Sequence, residues 1–385
     1  MNLLIVPSWY PSKGKPGNGI FFKEQAIALS KAGYQVTVID VSFHGREDIF
    51  NSKNFQLTYK NDVGVHVYAL KIPSFFVLSR FLSIHVFMFK SLLFFIFKKL
   101  IKKGCKFDAI HAHSFYPAGY CASKLSEKYN IPLVVTEHSS GILKTTLKTK
   151  ERQLLEYTVN HCNSFICVSE ALKQSLNAQV QTKKEIIVVP NLFSSDFSYH
   201  DIERNEDEFV FLSVGNLNNG KRHAFTISCF KDAFKINPKI KLRIAGNGEL
   251  EATLKKQIVE NNLTENVQLL GHLNREQLKI ELNNCNAFVL ASAFETFGIV
   301  YIEAMASGKP VIATRNGGAN DIVNKTNGVL VDVDNSEQLI KAFQYMYENV
   351  AKFDHKQIAI DCYVKYSQEA VVKQLSKVYE DVKHA

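Results

Sequence analysis

Cysteine is scarce and unpatterned in this chain. There are seven, an odd number, scattered, with no C-x-x-C and no Cys/His metal spacing; Cys162 and Cys167 stand nearest each other. That excludes a disulfide framework and a structural zinc site, and it reads as core thiols in a reducing compartment. No basic leader precedes the strand-like opening from Asn2 to Pro7, so no signal peptide is expected and the chain reads as cytosolic. There is no repeat of fixed short period, no low-complexity tract and nothing resembling a nucleic-acid module. Acidic residues are in the minority, 37 against 46 Lys and Arg, leaving a net charge of +9. The excess favours acidic partners such as sugar diphosphates or anionic lipid, with nucleic acid ranked last. With 46% apolar and 22% charged residues, the 385-residue chain is ordinary globular material. It is too long for one typical core and suits two domains of roughly 150–200 residues.

Short apolar runs alternate with helical ones throughout. They fall at Leu3–Val6, Val36–Val41, Ala109–Ala112, Leu133–Thr136, Phe165–Val168 and Ile186–Val189. A second series follows at Phe209–Val214, Leu242–Ala245, Val267–Leu270, Ala287–Leu290, Val311–Ala313 and Val329–Val331. Such strands separated by amphipathic helices predict parallel sheets covered on both faces, an α/β fold. Two series split near 190–208 predict two Rossmann-like domains, at 1–192 and 209–366. The linker is expected over 193–208, its acidic, apolar-poor part running from Asp201 to Glu208. The run Ser367–Val382 has a helical pattern.

The stretch from Glu295 to Asp321 is where the chemistry is expected. Phe297-Gly298 precedes the apolar run Ile299–Ala306, and Gly308-Lys309-Pro310 ends it. A glycine before a helix lets a ligand approach the backbone, and the first helical N–H groups attract anions. Glu295 and Glu303 flank that seat as acceptors for hydroxyls; hydroxyls around a diphosphate describe a nucleotide sugar. The loop after Phe209–Val214 carries Asn216, Lys221 and Arg222, suited to a diphosphate. Near the start, Trp9-Tyr10-Pro11 through Gly19 is a glycine-rich loop leading into a helix at Ile20–Lys31, where open α/β sheets bind ligands. His111 and His113 alternate on one side of a strand. Without acidic or Cys partners in sequence, no metal is expected there. Glu137-His138 closes the next strand and is expected to point toward the cleft between the domains, with no role assigned.

Phe75–Leu100 is Phe-rich, punctuated by Arg80, His85 and Lys90, and followed by Lys98, Lys99, Lys102 and Lys103. An ionised lysine near mid-bilayer costs about 2.5–3.5 kcal/mol, which argues against a span. Ser79, Arg80, Ser83, Lys90, Ser91, Lys98 and Lys102 share one helical side, with Phe87 and Phe94 intruding. The segment reads as an interfacial helix seating the protein on the inner leaflet of the plasma membrane. A buried amphipathic helix is the other reading.

The segment from Glu295 resembles the E-x7-E signature of glycosyltransferase family 4, retaining enzymes of the GT-B fold. It matches at Glu295, Phe297, Gly298, Glu303, Ala304, Met305, Ala306, Gly308, Pro310 to Thr314, Gly317 and Gly318, and departs at Thr296, where glycine is commoner. The resemblance implies two sheets facing a central cleft, with the last helix packed back on the first domain. It gives donor-sugar hydroxyls to Glu295, ribose hydroxyls to Glu303, the sugar to His113 and the diphosphate to Lys221. Gly19, Phe297, Gly298 and Ile299 would also lie against the donor, and the loop at Leu273 would hold the base through main chain. Asn216 replaces the family's usual arginine, a place Arg222 could fill. The implied reaction moves a hexose-type sugar from a UDP- or GDP-linked donor to a glycan, without a metal and with retained anomeric configuration. The basic, Phe-rich helix suggests a lipid-linked acceptor, as in lipopolysaccharide, capsule or exopolysaccharide assembly; a soluble acceptor is the other reading. Two other readings stand beside it, a GT-B-type sugar-nucleotide epimerase and a catalytically silent sugar-nucleotide-binding partner of a membrane assembly. A glycosidase is disfavoured because eight helical residues rise about 12 Å, beyond the spacing its two carboxylates need.

Overall fold

Strands of Leu, Ile and Val that are apolar on both faces can leave water only between layers of helices. The computed structural model describes residues 1–12, 17–44, 56–73, 82–201 and 207–384 and contains two such sheets. The chain divides into two compact units. One comprises Met1–Val168, Leu172–Leu192 and Gln368–Ala385; the other comprises Ser169–Ala171 and Phe193–Ser367.

In the first unit the strands are β1 (Asn2–Pro7), β2 (Gln35–His44), β3 (Leu57–Asp62), β4 (Val65–Pro73), β5 (Ala109–His113), β6 (Leu133–Glu137), β7 (Ser164–Cys167) and β8 (Ile186–Val188). Their order is β3-β4-β2-β1-β5-β6-β7-β8, parallel except for the β3–β4 pair. Six of these strands stand at the apolar runs of the sequence; the β3–β4 hairpin does not. Its turn places Val63 at φ 54° and Gly64 at φ 82°, as two-residue hairpin loops require. The exposed Lys60 and the Asp62 carboxylate blunt this sheet edge against further pairing. The helices are α1 (Ile20–Lys31), α2 (Leu82–Lys102), α3 (Tyr120–Tyr129), α4 (Gly141–Lys144), α5 (Thr149–His161) and α6 (Glu170–Gln179), whose first two residues fall in the second unit.

The second unit has β9 (Phe209–Val214), β10 (Ile240–Ala245), β11 (Val267–Gly271), β12 (Ala287–Leu290), β13 (Val311–Thr314) and β14 (Gly328–Val331), all parallel, in the order β11-β10-β9-β12-β13-β14. Its helices are α7 (His223–Phe234), α8 (Glu251–Glu260), α9 (Arg275–Asn284), α10 (Ile299–Ala306), α11 (Gly318–Ile322), α12 (Ser336–Asn349) and α13 (His355–Tyr366). The last helix, α14 (Gln368–His384), returns to the first unit. Val371, Val372, Leu375, Val378, Tyr379 and Val382 enter the core formed by Leu3, Ile5, Phe22, Leu29, Val36 and Val38. The buried Tyr379 hydroxyl pairs with His111 Nδ1 at 2.6 Å, fixing the helix against β5. Part of the expected linker, 202–206, lies outside the described residues.

Both sheets reverse their winding once, between β1 and β5 in the first unit and between β9 and β12 in the second. Open α/β sheets leave a crevice outside the carboxyl ends of the strands at such a reversal, and ligands bind there.

Helix α2 replaces the expected segment Phe75–Leu100 only in part, because residues 74–81, including Ser79 and Arg80, are outside the described range. Val86, Phe89, Leu93, Ile96, Phe97 and Leu100 are buried, so packing within the unit accounts for much of the Phe content. The opposite face is not simply polar. Phe87 is 65% exposed and Phe95 46%, beside exposed Ile84, Lys98, Lys99 and Lys102. No helix among the described residues is long and apolar enough to cross a membrane.

Candidate functional site

The second unit brings Lys221 and Glu295 together from two loops that flank its winding reversal. After β9 the chain turns through Gly215, and the Asn218 side chain accepts hydrogen bonds from the N–H groups of Gly220 (3.0 Å) and Lys221 (3.2 Å). This caps a short 3-10 turn over Asn219–Lys221 and aims the lysine. After β12, Glu295 is clamped by its own backbone, its N–H donating to the Asn316 carbonyl at 3.0 Å and its carbonyl accepting from Gly318 at 2.8 Å. The two side chains meet with Lys221 Nζ 2.5 Å from Glu295 Oε1, 24% and 12% exposed respectively. Four residues beyond Glu295, α10 begins with no side-chain cap, so its opening amides are left for a ligand. Gly298 caps it at φ 90°, and a Cβ there would sit 2.4 Å from the Tyr301 ring. The far end of α10 closes as a Schellman turn, with Gly308 donating to Met305 and Lys309 to Ala304.

A cation, a carboxylate and bare helical amides in one crevice can receive a phosphate and a hydroxyl together. Glu303 lies one turn inside α10, 5% exposed and paired with Arg275, whose guanidinium also stands 5.2 Å from the Phe197 ring. Burial raises the Glu303 pKa and Arg275 opposes that shift. The sequence reading missed Arg275, which only the α9 register brings to Glu303. Phe297 has its ring buried, edge-on to Tyr366. Arg222 turns to Asp334, 2.9 Å away, so in this structure its charge is directed there rather than to the Lys221–Glu295 pair. Asn216 is exposed, and Leu273 is half-buried in the loop after β11. That loop stacks on its neighbours: Gly246 donates to Gly271 at 2.7 Å, and a Cβ at Gly246 would fall 1.9 Å from the Gly215 carbonyl oxygen. Only glycine permits this stacking.

Gly19 and His113 belong to the first unit. Gly19 opens α1 at φ 73°, packed under Trp9. His113 closes β5 and is fully buried, stacked on Phe22 at 4.6 Å, with Nδ1 3.2 Å from His138 and Nε2 unpartnered. The following residue, Ser114, sits at φ 67°, a conformation costing about 1–3 kcal/mol that tertiary contacts must hold. Glu137 supplies one. Its carboxylate turns inward, accepting from the N–H groups of Phe115 (2.6 Å), His138 (2.8 Å) and Ser139 (2.6 Å). Among the described residues no group of three or more His, Cys, Asp or Glu could hold a metal ion.

Burial depresses the histidines, His111 and His138 to about 3, His223 to about 4, and His113 well below its ordinary value. A group whose folded pKa is lowered takes up its proton on unfolding, so its contribution is present above the unfolded value near 6.5 and lost as pH falls below it. Each such histidine therefore lowers stability as the pH descends toward 5.5. Asp40, raised to about 6 by burial, acts in the opposite sense and offsets part of the histidines' effect. The urea midpoint is therefore expected to drop between pH 7 and pH 5.5; a flat profile would contradict the neutral, buried cluster.

Residues 17–196 match the domain described as Glycosyltransferase Family 4, and residues 195–359 match the domain described as Glycosyl transferases group 1. An uncharacterized glycosyltransferase of Methanocaldococcus jannaschii is 30% identical over 278 residues, covering 71% of this chain and 76% of that one. The chain belongs to glycosyltransferase family 4. An N-acetylgalactosaminyltransferase of Campylobacter jejuni, named for a diphospho-undecaprenol acceptor, is 35% identical to this family 4 glycosyltransferase over 177 residues, 42% of this chain and 47% of that one. In structure the glycosyltransferase is similar to Anabaena HepE in complex with UDP, at TM-score 0.74, 18% identity and coverage of 99% and 100%. The fold is GT-B, with two parallel-sheet domains.

Proposed function

We propose that this glycosyltransferase moves a hexose-type sugar from a UDP- or GDP-linked donor to a lipid-linked glycan in cell-surface polysaccharide synthesis, with retention of anomeric configuration and without a metal. The observation that carries the donor half is the Lys221–Glu295 pair at the uncapped start of α10. The bond from the anomeric carbon to the diphosphate breaks, and negative charge grows on the departing oxygen. Lys221 and the amides of α10 are preorganised to meet that charge. Glu295 takes sugar hydroxyls, Glu303 the ribose hydroxyls. The acceptor hydroxyl attacks on the face of departure, and its proton passes to the leaving diphosphate. The UDP complex of HepE supports a nucleotide donor, and the Campylobacter relative's name supports a lipid-linked acceptor. Purified protein offered a panel of nucleotide sugars and an undecaprenyl-diphosphate-linked sugar should give a mass increment of one hexose-type unit on the lipid. Hydrolysis alone, or a free epimerised donor, would defeat this reading.

The exposed face of α2 supports a peripheral seat on the inner face of the plasma membrane. Phe87 and Phe95 offer apolar area, and Lys98, Lys99, Lys102 and Lys103 offer charge to anionic headgroups. Changing these four lysines to Glu is expected to release the protein from anionic vesicles in a flotation assay, while melting stays near wild type because all four are exposed. Unchanged flotation would end the membrane assignment.

A further inference from the structure

A groove of about 540 Å³ opens on the first unit between α2 and α5, over the first residue of α3. Its volume lies within the range of roughly 300–1,000 Å³ usual for small-molecule sites. Val86, Phe87 and Leu154 line it with apolar surface, and Lys90 and Lys150 add charge. No carboxylate lines it, and among the described residues neither lysine has an ion-pair partner within 4 Å. The neighbouring Lys124 differs, since Glu127 and the Tyr157 hydroxyl occupy it. Two unpaired cations beside an apolar wall suit a ligand that is an anion at one end and a hydrocarbon at the other.

The position of the groove narrows the ligand further. Helices α2 and α5 both pack on the segment Phe115–Gly119, which follows His113 with one residue between, and His85 of α2 hydrogen-bonds the Tyr116 hydroxyl. The groove thus stands at the carboxyl edge of the sheet, where ligands of α/β domains bind. Phe87 belongs to both the groove and the exposed face of α2. A chain leaving the groove along Phe87 therefore runs onto apolar surface.

We propose that this groove receives the lipid-diphosphate end of the acceptor, with an isoprenoid-type chain against Val86, Phe87 and Leu154 and the diphosphate held by Lys90 and Lys150. The assignment rests on the reading of the acceptor as lipid-linked. The test uses the full chain with UDP and GDP both saturating, so that the donor half is filled, and titrates farnesyl diphosphate by calorimetry. Farnesyl diphosphate should bind, with farnesol and inorganic diphosphate each at least tenfold weaker. The double variant Lys90→Ala/Lys150→Ala should weaken farnesyl diphosphate at least tenfold and leave nucleotide affinity unchanged. Phe87→Ser, at an exposed position, should weaken farnesyl diphosphate without altering the response to inorganic diphosphate. Equal binding by wild type and the double variant would overturn the proposal, and so would full competition by phosphatidylglycerol vesicles, which would make the groove a membrane-headgroup site. Failure of nucleotides to bind in their own titration would strike the donor reading instead, and the farnesyl diphosphate comparison is read separately from it.

Discussion

Replacing Glu295 by alanine is expected to lower sugar transfer at least a thousandfold while leaving the chain folded. The residue's backbone, not its side chain, ties the loop after β12 to the loop after β13, and alanine keeps both of those hydrogen bonds. What is lost is the carboxylate beside Lys221. That loss has an informative second effect. Without ligand, Glu295 and Lys221 satisfy each other, so a nucleoside diphosphate must draw the ammonium away from an internal anion. In Glu295→Ala the lysine is free, and UDP or GDP is expected to bind at least as tightly as to wild type although transfer has failed. Calorimetry beside a turnover assay reads both. Wild-type turnover would overturn the assignment of Glu295, and a parallel collapse of nucleotide binding would mean the loop had been damaged.

Lys221→Ala is expected to cut turnover by about 10²–10³, the usual cost of removing one preorganised donor from a developing oxyanion. Here nucleotide affinity should fall as well, because the remaining Glu295 carboxylate is an unpaired negative charge facing the phosphate. The two substitutions thus move nucleotide binding in opposite directions while both suppress transfer. Lys221→Arg should recover only part of the loss, since a planar guanidinium does not reproduce a compact ammonium held 2.5 Å from its partner. Unaltered turnover in Lys221→Ala would remove the lysine from the mechanism.

Much of this was legible in the residues. The apolar strands needed only their composition, and α1 stands at Ile20–Lys31, the expected span, because a glycine starts it and a Gly follows its end. The meeting of Lys221 with Glu295 follows from strand order, since their loops leave neighbouring strands on either side of the winding reversal. Other features were hidden. The β3–β4 hairpin carries mixed polar and apolar residues on an edge, where burial leaves little pattern, and only the Asp62-Val63-Gly64 turn marks it. Arg275 was unreadable because nothing local relates the start of α9 to Glu303. The inward turn of Glu137 was likewise invisible, because its partners are backbone amides that any sequence supplies. The Phe-rich stretch pointed two ways at once, and α2 has both a buried face and an exposed apolar one.

The return of α14 to the first unit has a consequence for dissecting this enzyme. Apart from the three residues Ser169–Ala171, the polypeptide enters the second unit after Leu192 and leaves it after Ser367, so the first unit is discontinuous in sequence. Ending translation before Gln368 would strip Tyr379 from His111 and uncover Leu375 and Val371, exposing the interior of a domain whose last native residue lies some way upstream. The second unit, apart from Ser169–Ala171, lies in the one continuous piece Phe193–Ser367, whereas its companion would have to be reassembled from separate fragments or rejoined by circular permutation.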